Sequence, residues 1–145
     1  RCSMSDPYDL NRFVEAQEGT YQHVLRELEG GRKRSHWMWY IFPQIAGLGF
    51  SAMAQRYAIG SLDEARAYLR HPDLRPRLRR CTDAVNDITG RSAYEIFGSP
   101  DDTKFRSSMT LFARADLNAA EFKAALAAYF GGAEDPRTLA ELGLT

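Results

Sequence analysis

The sequence predicts an all-α fold, a single irregular bundle of roughly eight to ten short helices, on three observations. Helix-start words recur along the chain, apolar residues return at intervals of three and four, and no run alternates as a half-buried strand would. The elements follow in order. Asp6-Pro7 places a capping side chain before a proline, whose missing N–H is one a first helical turn does not use. Tyr21, Val24, Leu25 and Leu28 form the stripe of a second helix, stopped by Gly30-Gly31. Ser35 is expected to cap a short helix with His36, Trp39, Tyr40 and Pro43 on one side and Trp37, Ile41 and Gln44 on the other. A helix apolar on both sides must be buried.

Glycines at 47, 49 and 60 break the middle of the chain. Ser61-Leu62-Asp63-Glu64, Ser92-Ala93-Tyr94-Glu95 and Asn118-Ala119-Ala120-Glu121 have the spacing at which a cap and a third-position carboxylate satisfy free amides reciprocally. Leu74, Leu78, Cys81, Val85 and Ile88 make a long stripe. Ser99-Pro100 opens the helix of Phe105, Met109 and Phe112; Phe122, Leu126 and Tyr129 follow, ending at Gly131-Gly132. Asp135-Pro136 starts the last helix. No linker separates domains and no period of a repeat array occurs, so residues 4–145 are expected to form one helical domain. Arg1 to Ser3, ahead of Met4, are expected to be an added remnant.

With 145 residues the chain can bury about two-thirds of its unfolded surface in one core. Nineteen basic and nineteen acidic side chains give a net charge of zero, which disfavours a bulk polyanion binder. No apolar stretch approaches the ~20 residues of a membrane span, and no signal-peptide core is visible. A soluble cytoplasmic protein with no membrane partner is expected. Cys2 and Cys81 have neither disulfide-framework nor zinc spacing, so Cys81 reads as a small buried hydrophobe. His23, His36 and His71 lie too far apart for a metal motif, Walker and nucleophile-elbow words are missing, and neither metal nor cofactor is expected. Gly47-Leu48-Gly49-Phe50-Ser51-Ala52 meets the degenerate dinucleotide pattern but follows no strand, so a Rossmann site is rejected; amides ahead of Ser51 stay candidates for an anion.

Asp6-Pro7-Tyr8-Asp9-Leu10, the run from Lys33 through Trp37-Met38-Trp39 to Gln44, His71-Pro72, Ile96-Phe97-Gly98 and the stretch from Asp101 to Phe112 together resemble the family called domain of unknown function 1810. The similarity spans nearly the whole chain. Arg75 departs from it, standing where the pattern has a small residue. The resemblance implies a small, mostly helical single domain and brings no reaction with it. A calpastatin-like label attached to some relatives is set aside, because an ordered, aromatic-rich chain is unlike a disordered inhibitor.

Two segments could carry chemistry. The aromatic run holds His36 and Gln44 as polar contacts for a pocket, or is simply core. Asp101, Lys104 and Ser108 form a polar stripe beside Phe105, Met109 and Phe112. If the segments meet, a small anionic, nucleotide-like ligand would be bound by Lys33, Trp37, Trp39, Gln44, Ser51, Lys104 and Ser108, with His36 and Asp102 as an acid/base pair for hydrolysis. The alternative is a non-catalytic protein-interaction module whose aromatic segment is core. A third reading, weak nucleic-acid binding through the Arg75 to Arg80 cluster, is disfavoured by the interspersed acids. Enzymatic status and oligomeric state stay open.

Overall fold

The structure, a computed structural model, describes residues 6–144. Among these residues ten helices follow one another: α1 (Asn11–Glu18), α2 (Tyr21–Glu29), α3 (Met38–Ile41), α4 (Ala52–Arg56), α5 (Leu62–Arg70), α6 (Leu74–Asn86), α7 (Ala93–Phe97), α8 (Asp101–Ala115), α9 (Ala120–Phe130) and α10 (Pro136–Glu141). One isolated parallel bridge joins Ile45 to Ile59, closing the base of the excursion that carries α4. Cys2 and the residues ahead of Met4 lie outside the described part. Among the described residues no helix is long and apolar enough to cross a membrane.

Three start words act as predicted. Ser92 and Glu95 form a complete reciprocal box, Asp135 accepts from the Thr138 amide with Pro136 at the first helical position, and the Ser61 hydroxyl accepts from the Glu64 amide. The Glu64 carboxylate turns elsewhere, to the Gly60 amide at 2.9 Å and Arg12 at 3.0 Å. The other words are corrected. Asp6 closes a turn by accepting from the Leu10 and Asn11 amides, so α1 begins only at Asn11. Pro100, after a cis bond from Ser99, itself occupies the cap position of α8. The Asn118 amide donates to Asp116, leaving Ala119 to precede α9. Ser35 does not cap α3: its hydroxyl donates to Glu27, and Trp37 holds the cap position.

α8 is the axis of the bundle, with α5, α7, α9 and α10 packed around it. That enclosure explains why every residue from Ser107 to Ala113 is buried, polar ones included. Beyond its first turn the expected polar stripe is interior. Phe105 is the node of the aromatic core, stacked on Phe97 at 4.7 Å and edge-on to Phe42 at 5.0 Å. Tyr68 links Phe13 to Phe112 at 5.2 Å on each side. Cys81 is buried and unpaired, and burial pushes its thiol up to about 12, as expected of an inert core residue. Replacing Phe105 by Ala would empty this node; urea denaturation is expected to show a loss of about 3–5 kcal/mol, against about 1 kcal/mol for Ser92→Ala at its exposed cap.

Candidate functional site

The site is organised by a carboxylate in the last turn of α2. Past Glu29 the chain reverses through Gly30 and Gly31, the latter at φ +83°, where a glycine is favoured. Residues 34–37 then run back past Glu27. Its Oε1 accepts from the Arg34 amide at 2.7 Å, the Ser35 amide at 3.1 Å and the Trp37 indole at 2.9 Å. Its Oε2 accepts from the Ser35 hydroxyl at 2.5 Å and faces His23 Nε2 at 2.8 Å. Burial alone would push the Glu27 carboxyl up; the hydrogen bonds from Ser35, Arg34 and Trp37 outweigh it and bring the value down to about 2.

The same turn delivers Lys33 inward. Its amide donates to the Ile96 carbonyl at 2.7 Å, and its ammonium, with only 8% of the side chain exposed, lies 2.8 Å from Asp101 Oδ2 and 5.2 Å from the centre of the Trp37 ring. Asp101 belongs to the first turn of α8, where a carboxylate complements the helix dipole. Its other oxygen faces Lys104 at 3.8 Å, and Lys104 stands 5.7 Å over the half-buried Trp39 ring. The two segments do meet in space.

Between them lies a cleft lined by Met38, Trp39, Gln44, Ala54, Tyr57 and Lys104. Its empty space is about 250 Å³ including the open mouth, but the centre of a water-sized sphere can reach only about 10 Å³. That is room for about one water. Gly49 roofs one side: a Cβ there would lie 2.8 Å from the Ala54 Cβ and 3.5 Å from Gln44 Nε2, so a side chain at 49 would force the loop away. Among the described residues the Gln44 carboxamide makes no hydrogen bond.

Lys33, Trp39, Gln44 and Lys104 are thus gathered by the fold. The others are not. Trp37 is fully buried with its N–H committed to Glu27, so it offers no face to a guest. Ser108 is buried on α8, its hydroxyl unpartnered, and does not line the cleft. Ser51 is exposed and caps α4, a helix of five residues. His36 is exposed and Asp102 accepts from its neighbour Thr103 at 2.9 Å; no hydrogen bond or ion pair joins them, so they form no acid/base pair in this structure. Glu27 is the organising group that reading for a pocket missed; Asp101 was read only as part of the polar stripe with Lys104 and Ser108. The signal for Glu27 was its place one residue ahead of Leu28 and three past Val24, a carboxylate on an apolar stripe. In the arginine cluster, disfavoured on sequence by its interspersed acids, the side chains lie against carboxylates. Arg75 pairs with Asp116 and Glu121, Arg77 with Glu18, Arg79 with Asp83 and Arg80 with Glu29, which leaves no free basic stripe there.

A model of the family described as "Protein of unknown function (DUF1810)" matches residues 7–142. The chain is similar to the crystal structure of the conserved hypothetical protein Rv1873 from Mycobacterium tuberculosis, with a TM-score of 0.94 and 58% sequence identity over 97% of this chain and 100% of that one. No curated protein matches. The depressed Glu27 carboxyl makes stability depend on pH. Because its folded value lies below the ordinary 4.5, its contribution, on the order of 3 kcal/mol, is complete above pH 4.5 and is lost as pH falls toward 2. Denaturation midpoints measured over that range are expected to fall steeply for the native chain and to flatten in Glu27→Gln, which should also be the less stable protein at neutral pH.

Proposed function

The chain belongs to the DUF1810 family, and from that premise we propose that the protein binds a small anionic, ring-bearing ligand, of the nucleotide-like kind, at the mouth of the cleft between α3 and α8. The family brings no reaction, so the reading rests on the site. One observation carries it: an ammonium held over a half-exposed indole, with an unpaired carboxamide lining the same opening. Lys33 and Lys104 share the carboxylate of Asp101, Lys104 at the longer 3.8 Å, so its ammonium has capacity for an anion as a further partner. The size of the cleft sets the pose. A phosphate or carboxylate oxygen would displace the one water-sized volume beside Lys104 and Gln44, while the ring lies outside on Trp39. Lys33 acts through Asp101, which it orients. With His36 and Asp102 apart, the reading is binding without bond cleavage.

A second reading, a protein-interaction module, is favoured by Phe50, which is 78% exposed next to Gly49 while Trp37, Tyr40, Ile41 and Phe42 are core. A thermal-shift screen of nucleotides, nucleosides and sugar phosphates separates the two. Under the binding reading an anionic, ring-bearing compound at a hundredfold excess over its Kd stabilises by about 2.7 kcal/mol, a shift of several degrees. Lys104→Ala and Trp39→Ala are each expected to abolish that shift while circular dichroism shows the helices retained. A flat screen removes the ligand reading and leaves the module.

A further inference from the structure

Between Gly31 and Trp37 the chain alternates in exposure with a period of two. Lys33, Ser35 and Trp37 turn inward, to Asp101 and Glu27, whereas Arg32, Arg34 and His36 are exposed. The backbone is held from Arg32 to Ser35: the Arg32 amide donates to the Glu27 carbonyl, Lys33 to Ile96, and Arg34 and Ser35 to the Glu27 carboxylate. The outward groups therefore project from a fixed ridge. Arg91, from the loop ahead of α7, joins them. A Cβ on Gly31 would lie 3.2 Å from Arg91 Nε, so the arginine side chain lies directly over that glycine, next to Arg32.

Unlike Arg75 to Arg80, none of Arg32, Arg34 and Arg91 has a carboxylate partner among the described residues. Arg32 and Arg91 border an open groove of about 340 Å³ that also includes Tyr94, 63% exposed, and Arg34 is exposed two residues beyond Arg32. The one acidic side chain lining it, Glu95, has an oxygen engaged by the Ser92 amide in the helix cap. Like charges held side by side on rigid backbone repel one another until an anion is shared between them. Exposed and unenclosed, each holds one phosphate weakly; a chain of phosphates engages all of them at once.

We propose that the ridge of Arg32, Arg34 and Arg91, with Tyr94 beside it, is a binding surface for single-stranded nucleic acid. The guanidinium groups take successive phosphates and the exposed phenol ring stacks an unpaired base, which a duplex does not offer. The surface is separate from the Trp39 cleft and does not depend on it.

The test is fluorescence anisotropy with a labelled oligothymidylate, titrated at several salt concentrations. Binding at low salt is expected to weaken on a log–log plot with a slope of about −2, each of Arg32→Gln, Arg34→Gln and Arg91→Gln removing about 0.7. Tyr94→Ala is expected to weaken binding by about 5-fold or more, with the salt slope unchanged. Arg79→Gln with Arg80→Gln, at arginines already paired, is expected to leave affinity within about 2-fold. No binding at low salt overturns the proposal. So does binding that survives the three ridge substitutions, or a blunt duplex or inorganic polyphosphate competing as well per phosphate as the oligonucleotide, since either would mean that the bases are not read. The variants lie on the surface, and a thermal melt matching the native chain establishes that a loss reflects the surface and not the fold.

Discussion

The arrangement of this molecule turns on the buried carboxylate of Glu27. An acid in the last turn of a helix faces the negative end of the macrodipole, and an acid out of water loses its hydration; both effects oppose ionisation. The charge is held because two amides, a hydroxyl and an indole N–H arrive from outside the helix and join a histidine of the same helix. Those donors all come from residues 34–37 except His23, one turn earlier on α2. Satisfying one carboxylate therefore dictates the path of four consecutive residues. It fixes Trp37 in the core, and through the alternation it fixes which cations of residues 32–36 reach solvent and which are drawn inside. Replacing the charge by an apolar group would remove the desolvation cost but also the instruction.

A second constraint follows at α8. A helix surrounded by four others has little solvent face except near its ends, so its ionisable residues fall in the first two turns and the last, with both acids in the first. Asp101 and Asp102 suit that end of the dipole, and Asp101 becomes the meeting point for two lysines from segments about seventy residues apart. The juxtaposition of the aromatic run with α8 is thus a consequence of core packing, Phe42 against Phe105, locked at the rim by Lys33 and Asp101. Ser108, one turn deeper, has the same sequence spacing as Lys104 but a buried setting, which is why the periodic stripe overstated the polar wall.

The helical class was legible because it rests on local physics. The boxes at Ser92 and the Asp-Pro start at Asp135 need only neighbouring residues, and the stripes of α2 and α6 need only a period. The words that misled were those with a competing local partner. Asn118 had Asp116 two residues back, and Ser35 had Glu27 across the reversal. Of the site, residue types singled out Lys33, Trp39, Gln44 and Lys104 but left open whether their segments meet, and they did not divide Trp37 from Trp39. Two indoles two positions apart look alike along a sequence; they differ only because one N–H finds a buried carboxylate whose position depends on the turn at Gly30 and Gly31.

Net charge alone does not locate charge on a surface. Equal numbers of acids and bases describe the whole chain, but an interaction surface depends on which charges are already spent. The densest arginine run, Arg75 to Arg80, looked the most basic and is fully paired with acids from α1, α2, α6 and the α8–α9 region. The sparser trio of Arg32, Arg34 and Arg91 has no carboxylate partner among the described residues, while Glu27, Asp101 and Glu95 on the elements around it are engaged by Ser35, Lys33 and Ser92. Electrostatic character here is set by competition for carboxylates within the fold, and the residues that lose that competition are the ones left to meet another molecule.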